Sequence, residues 1–120
     1  MSSALQPLVQ PLVVACLCAA WCRTCDDYRP VFEEVGARFG ERVVLRWIDI
    51  EDEAALVGDV DVDNFPTVAL LRGASALFCG TLTPQAATLA RMIEAALTGT
   101  LARVDDPEAD AFARRLEFAG

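Results

Sequence analysis

The stretch Leu12-Val13-Val14-Ala15-Cys16-Leu17-Cys18-Ala19-Ala20-Trp21-Cys22-Arg23-Thr24-Cys25 decides how the rest of the chain is read. Residues 12–19 are continuously apolar, with β-branched Val13 and Val14, as in a strand covered on both faces. From Arg23 the period changes. Tyr28, Phe32, Val35 and Phe39 fall at i, i+4, i+7 and i+11, on one face of a helix over 23–39. Cys22 and Cys25 therefore stand at a strand-to-helix junction, where a pair so spaced can close a small disulfide ring and reopen it. The helix start presents unpaired N–H groups and a positive dipole end to the first sulfur, which favours its thiolate. This constellation points to redox chemistry.

Working outward, Pro30 removes one helical hydrogen bond and is expected to kink the helix, and Gly40 fits its C-cap. Val43 to Ile50 reads as a second buried strand, and Glu51 to Val57 as a short helix stopped by Gly58. Residues 67–72 and 76–80 read as an antiparallel hairpin across a turn containing Gly73. Thr83-Pro84 is a helix start, with Thr83 as N-cap, and Ala86, Leu89, Ala90, Ile93 and Leu97 share one face before Gly99. Asp105-Asp106-Pro107 opens a last helix with Ala109, Phe112, Ala113 and Leu116 on one side; its acidic start and Arg114-Arg115 end suit the helix dipole. Residues 1–10, with Pro7, read as a loose arm or short edge strand. The first two strands, joined by a helix, should be parallel with a right-handed crossover, and the hairpin should add antiparallel strands to the same sheet. The fold class is α/β: a mixed central sheet with helices on both faces.

The chain has 120 residues, 54% hydrophobic against 23% charged, which suits one packed domain rather than disorder. A net charge of −8 disfavours nucleic acid and anionic membrane as partners. Histidine is absent, which excludes a His-based triad and a His-ligated metal. The five cysteines (Cys16, Cys18, Cys22, Cys25, Cys79) are an odd number clustered in apolar segments, unlike a secreted disulfide framework. They suit a reducing compartment, with buried thiols beside one reactive pair. The first basic residue is Arg23, and the apolar run before it is short and broken by Pro7 and Pro11. No signal peptide or membrane span is expected there, and the expected location is the cytoplasm.

The element order, with the CxxC at the end of the first central strand, resembles the thioredoxin family from about Leu12 to Leu97. Trp21-Cys22-Arg23-Thr24-Cys25 matches its W-C-x-x-C, Pro30 its helix proline, Phe65-Pro66-Thr67 its cis-proline loop, and Gly80 the glycine after its last strand. The resemblance implies a three-layer sandwich with a core over about 12–99. It further implies a truncated N-terminus, because few residues precede Leu12, and an extra C-terminal helix over about 105–118. That helix is expected to cover the sheet face that the missing N-terminal helix leaves bare.

The resemblance also implies roles. Cys22 would be the exposed nucleophile and Cys25 would resolve the mixed disulfide. Trp21, Phe65, Pro66 and Thr67 would meet the substrate, and Arg23 and Thr24 would tune the potential. Arg23 should lower the Cys22 pKa, while Asp26 and Asp27 oppose it. Partners would be protein disulfides and an unidentified reductase or electron donor, with no cofactor and no metal. Two departures concern the proton path. Cys16 stands where the family often has a buried acid, and Trp47 where it often has the lysine paired with that acid. A lone buried charge would cost several kcal/mol, so their joint absence is consistent. Asp26 and Asp27 are the nearest sequence candidates to accept the Cys25 proton.

Plainer readings stand beside these. Cys16, Cys18 and Cys79 are expected as small core side chains. A four-thiolate metal site over Cys16, Cys18, Cys22 and Cys25 is disfavoured, because a strand should point the first two away from the second two. Asp49, Glu51, Asp52 and Glu53 read as a solvated helix start, not a calcium loop. The leading expectation is a thiol–disulfide oxidoreductase; the alternative is a non-catalytic binding or assembly module docking through the proline loop.

Overall fold

The computed structural model describes residues 11–101 and 104–119. The reading of residues 1–10 as an arm or edge strand lies outside them. Strand β1 (Leu12–Cys18) is followed by helix α1 (Arg23–Phe39), strand β2 (Val43–Asp49) and a one-turn helix α2 (Ala54–Val57). The hairpin β3 (Thr67–Arg72) and β4 (Ser75–Thr81) follows, then helices α3 (Ala86–Thr98) and α4 (Pro107–Ala119). The sheet order is β2-β1-β3-β4. β1 runs parallel to β2 and antiparallel to β3, and β3 is antiparallel to β4. This is the mixed sheet expected from the sequence.

The continuous apolar run of β1 follows from its central position, because both of its faces are covered. Leu12, Val14, Cys16 and Cys18 face a core shared with Cys25, Tyr28, Phe32 and Val35 of α1 and Leu89 and Ile93 of α3. Ala15 and Leu17 face the opposite core, with Ile48, Ala69 and Leu71 and with Ala109, Phe112, Ala113 and Leu116 of α4. Alternating side chains of one strand thus feed two cores. The face of α4 that the sequence pattern marked is the buried one.

Local features differ from the sequence reading in several places, among them the short helix expected from Glu51, which begins only at Ala54 after a turn. α3 begins after Gln85, whose extended backbone makes it the N-cap. The Thr83 hydroxyl instead lies 2.9 Å from that of Thr88. Gly80 lies inside β4, paired with Val68, and does not follow the strand. Arg115 does not serve the end of its own helix. Its guanidinium donates to the Leu56 and Val57 carbonyls at 2.7 and 2.9 Å, closing the C-terminus of α2. Gly58 lies beneath that guanidinium with φ of 59°, so a side chain there would meet both strain and a clash. A second polar tie holds α4: the buried Asp110 carboxylate accepts the Ala76 N–H at 2.9 Å.

Candidate redox site

The turn between β1 and α1 carries Ala19 to Cys22. The Cys22 N–H donates to the Ala19 carbonyl at 3.1 Å, and the Asp26 N–H donates to the Cys22 carbonyl at 3.2 Å. Cys22 is the N-cap residue of α1, in extended conformation (φ −91°, ψ 118°). That conformation leaves its side chain half-buried at the rim of the core, whereas Cys25 lies on the buried face of α1 and is 2% exposed. Arg23, Thr24, Asp26 and Asp27 are exposed.

The disulfide in the structure differs from the expected one. Cys25 is bonded to Cys18, and Cys22 is a free thiol. The reason lies in the alternation of β1. Cys16 and Cys18 point toward α1, and the buried face of its first turn brings Cys25 over the end of the strand. The Cα atoms of Cys18 and Cys25 are 5.8 Å apart, within the range a disulfide spans. The expectation that a strand keeps Cys16 and Cys18 away from the CxxC is therefore corrected for Cys18. Cys16 continues the series, with its sulfur 3.7 Å from that of Cys18. Burial pushes the Cys16 thiol up to about 12.

The remaining members of the expected constellation lie on one side. Trp21 is 68% exposed, and its ring meets that of Phe65 edge-on, with centroids 5.8 Å apart. The Phe65–Pro66 peptide is cis. Thr67 opens β3 opposite Leu17 of β1, which fixes this loop beside the β1 end. Of the three loop residues, only Phe65 reaches the surface. Pro66 is buried and its carbonyl accepts the Leu82 N–H at 3.2 Å. The Thr67 hydroxyl is turned inward and donates to the Asn64 carbonyl at 2.6 Å.

Beneath the site, Cys16 and Trp47 are register partners across β1 and β2. Trp47 packs edge-on to Phe32 at 5.6 Å and lies under the Arg29 guanidinium at 5.1 Å. The Tyr28 hydroxyl is buried with no hydrogen-bond partner among the described residues. Burial, and secondly the neighbouring Cys16, push this phenol upward. Among the described residues the other buried polar or charged side chains are Thr67 and Asp110, and Asp110 belongs to α4 on the other side of the sheet.

Asp49 is a residue whose role the sequence reading missed. Its carboxylate accepts the Asp52 and Glu51 N–H groups at 3.0 and 2.8 Å. These bonds, with a further one from the Ala20 backbone, hold its carboxyl below the ordinary value. Asp49 is the register partner of Cys18, and the Ile50 N–H donates to the Cys18 carbonyl at 2.9 Å. The turn before the CxxC is thus tied to the turn after β2. The D-x-E-D pattern could have suggested an Asx turn, but the link to Ala20 depends on the parallel register.

This arrangement of strand, cysteine-bearing turn, helix and proline loop is matched by a family model. The model "Thioredoxin" covers residues 3–95. The chain belongs to the thioredoxin family. Among curated relatives of this thioredoxin-family chain, Thioredoxin H2-1 of Oryza sativa subsp. japonica is 36% identical over 62 residues, 52% of this chain and 44% of the rice protein. Thioredoxin of Bacillus subtilis is 30% identical over 61 residues, 51% of this chain and 59% of that protein. The chain thus spans about half the length of these relatives. Among solved structures, the germline-specific thioredoxin Deadhead of Drosophila melanogaster superposes with a TM-score of 0.65 at 20% identity, covering 76% of this chain and 86% of that one. No helix among the described residues is long and apolar enough to cross a membrane.

Proposed function

We propose that this chain is a thiol–disulfide oxidoreductase acting on protein disulfides, with Cys22 as nucleophile and Cys25 as resolving thiol. The observation that carries this reading is the half-buried free Cys22 at the α1 N-cap, three residues before the buried Cys25 and next to the exposed Trp21–Phe65 rim. A Cys22 thiolate attacks a substrate disulfide and forms a mixed disulfide. The Cys25 thiolate then displaces the substrate thiol and leaves a Cys22–Cys25 bond. A thiol donor of unidentified chemistry returns the pair to the dithiol. Trp21 and Phe65 supply the apolar contact for the substrate chain, Pro66 and Thr67 shape the loop behind them, and Arg23 and Thr24 set the charge and solvation around Cys22. Two unpaired thiols in apolar surroundings, Cys16 and Cys79, favour a reducing compartment such as the cytoplasm and hence the direction of reduction.

The test uses a protein disulfide substrate with dithiothreitol as electron source. The wild type is expected to accelerate reduction, and Cys22→Ser to fall to background. Cys25→Ser is expected to accumulate covalent adducts on Cys22. A wild type without activity, together with a Cys25→Ser protein without adducts, would overturn the reading in favour of the binding or assembly module.

A further inference from the structure

We propose that Cys18 is a third redox-active thiol, which competes with Cys22 for Cys25 and so switches the site between a dithiol and a monothiol form. The inference rests on the exchange activity proposed above. Its basis is the bonding of Cys25 to Cys18, the half-buried free Cys22 packed against the same cluster, and the close approach of Cys16 to Cys18.

Local geometry bonds Cys18 to Cys25 and packs Cys22 against the same core. Cys18 ends β1, and the turn that follows folds the Cys22 N–H back onto Ala19. Cys25 comes down onto the same core one helical turn later. Cys25 therefore has an inner partner, Cys18 (1% exposed), and an outer candidate three residues before it, the half-buried Cys22. The interconversion is an internal exchange. The Cys22 thiolate attacks the Cys25 sulfur; the Cys22–Cys25 bond forms and the Cys18–Cys25 bond breaks. The electron pair leaves on the Cys18 sulfur, which takes up a proton equivalent to the one Cys22 released. No electrons are gained or lost, so no external oxidant is needed. The disulfide that enters this exchange is the Cys22–Cys25 bond left by substrate reduction.

How readily the inner bond opens is set by its surroundings. A thiolate leaving at Cys18 is poorly solvated, because Cys18 is 1% exposed within an apolar core. The Cys16 thiol, kept protonated by burial, is the available hydrogen-bond donor to that sulfur. The chemical consequence falls on Cys22. With Cys25 held by Cys18, a mixed disulfide on Cys22 has no resolving thiol. The protein then retains its substrate covalently until a donor opens the inner bond.

The sequence makes the inner bond readable. No Lys or Arg precedes Arg23, and Arg29 is followed by Pro30, which blocks trypsin; digestion leaves Cys16, Cys18 and Cys22 in the peptide 1–23 and Cys25 in 24–38. The full chain carrying Cys16→Ala and Cys22→Ser is equilibrated with reduced and oxidised dithiothreitol, quenched in acid, alkylated and digested. The expected result is a cross-linked pair of these peptides lighter by two hydrogens, which only Cys18–Cys25 can produce. Two alkylated thiols at Cys18 and Cys25 in every buffer that oxidises the wild type would overturn the proposal. Should that variant fail to fold, fragmentation of the cross-linked peptides from oxidised wild type gives the same answer. Both linkages are expected, and Cys22–Cys25 alone would refute the switch. Substrate turnover by the wild type is scored separately. Turnover without the inner link sinks this inference alone, whereas the inner link without turnover sinks the exchange activity and leaves the pairing standing.

Discussion

The two faces of the sheet are built from the same strand and do different work. On the α1 and α3 side, β1 contributes Cys16 and Cys18 to a core that also holds Cys25, Tyr28 and Phe32. On the α4 side, β1 contributes Val13, Ala15 and Leu17, and the helix is held by apolar packing plus the Asp110 and Arg115 contacts. Cys79 packs on that second face and is separated by the sheet from the other four cysteines. Side-chain alternation with a period of two thus segregates chemistry from scaffolding: moving Cys18 by one position would carry its sulfur to the wrong side.

The sharpest way to break this comparison is to remove an equal aromatic from each core. Phe32 and Phe112 are both fully buried, at 1% and 0% exposure. Either substitution by Ala should cost about 3–5 kcal/mol, much of the stability of a domain this size. Urea unfolding checks that. The two should differ in their redox behaviour. Phe32→Ala should alter the division of Cys25 between its partners, read by peptide mapping, whereas Phe112→Ala should leave it unchanged in the folded fraction. Equal redox effects would show that the faces are coupled.

A smaller effect tests the polar tie of the α4 face. Asp110→Ala leaves the buried Ala76 N–H without its carboxylate partner. An unsatisfied buried donor costs about 1–3 kcal/mol. The denaturation midpoint should fall accordingly, and the free-thiol count should not change.

The sequence made one half of this comparison far more legible than the other. The two buried strands, the hairpin and the apolar faces of α1 and α4 follow from periodicity, because a side chain's face is set by its position in the period. Trp21, Cys22 and Phe65 could be marked as neighbours through the family motif. The pairing of Cys18 with Cys25 could not be read in that way. It depends on which face of β1 α1 covers, and β1 is apolar on both sides, so its pattern carries no sign of which alternation faces the helix. Asp49 and Arg115 were missed for a similar reason. The Arg115 partners, the α2 carbonyls, and the third donor to Asp49, Ala20, are supplied by tertiary register, whereas the main donors to Asp49, Asp52 and Glu51, are chain neighbours.

Alkaline titration compares the two faces through their buried thiols. Burial pushes Cys16 from 9.0 up to about 12, and burial with the Asp106 charge pushes Cys79 from 9.0 up to about 11. For a group whose folded value is raised, the unfolded chain releases its proton first. The stabilisation is complete below about 9 and is lost as pH climbs through the folded value. Each such thiol adds a slope of up to about 1.4 kcal/mol per pH unit. Cys79→Ala should flatten the loss of stability only up to about pH 11, and Cys16→Ala should flatten it further, toward 12. Indistinguishable slopes would mean that the redox face is no drier than the other.

The smallest expected effect lies at the turn that joins the site to the sheet. Asp49 has a lowered carboxyl value because backbone N–H groups of Asp52, Glu51 and Ala20 donate to its charged form. A depressed acid contributes stability above its unfolded value, 3.8, and that contribution disappears as pH falls through the folded value. Asp49→Ala should therefore lower stability slightly at neutral pH and make the acid limb of the stability curve shallower, with the two curves converging at low pH. The Ala20 bond makes this more than a loop effect. Loosening the residue before Trp21 frees the turn that carries Cys22, so the variant should shift the Cys22–Cys25 and Cys18–Cys25 populations even where its stability is unchanged. A variant that lost stability at neutral pH but kept both populations would confine Asp49 to the β2–α2 turn and remove it from the redox face.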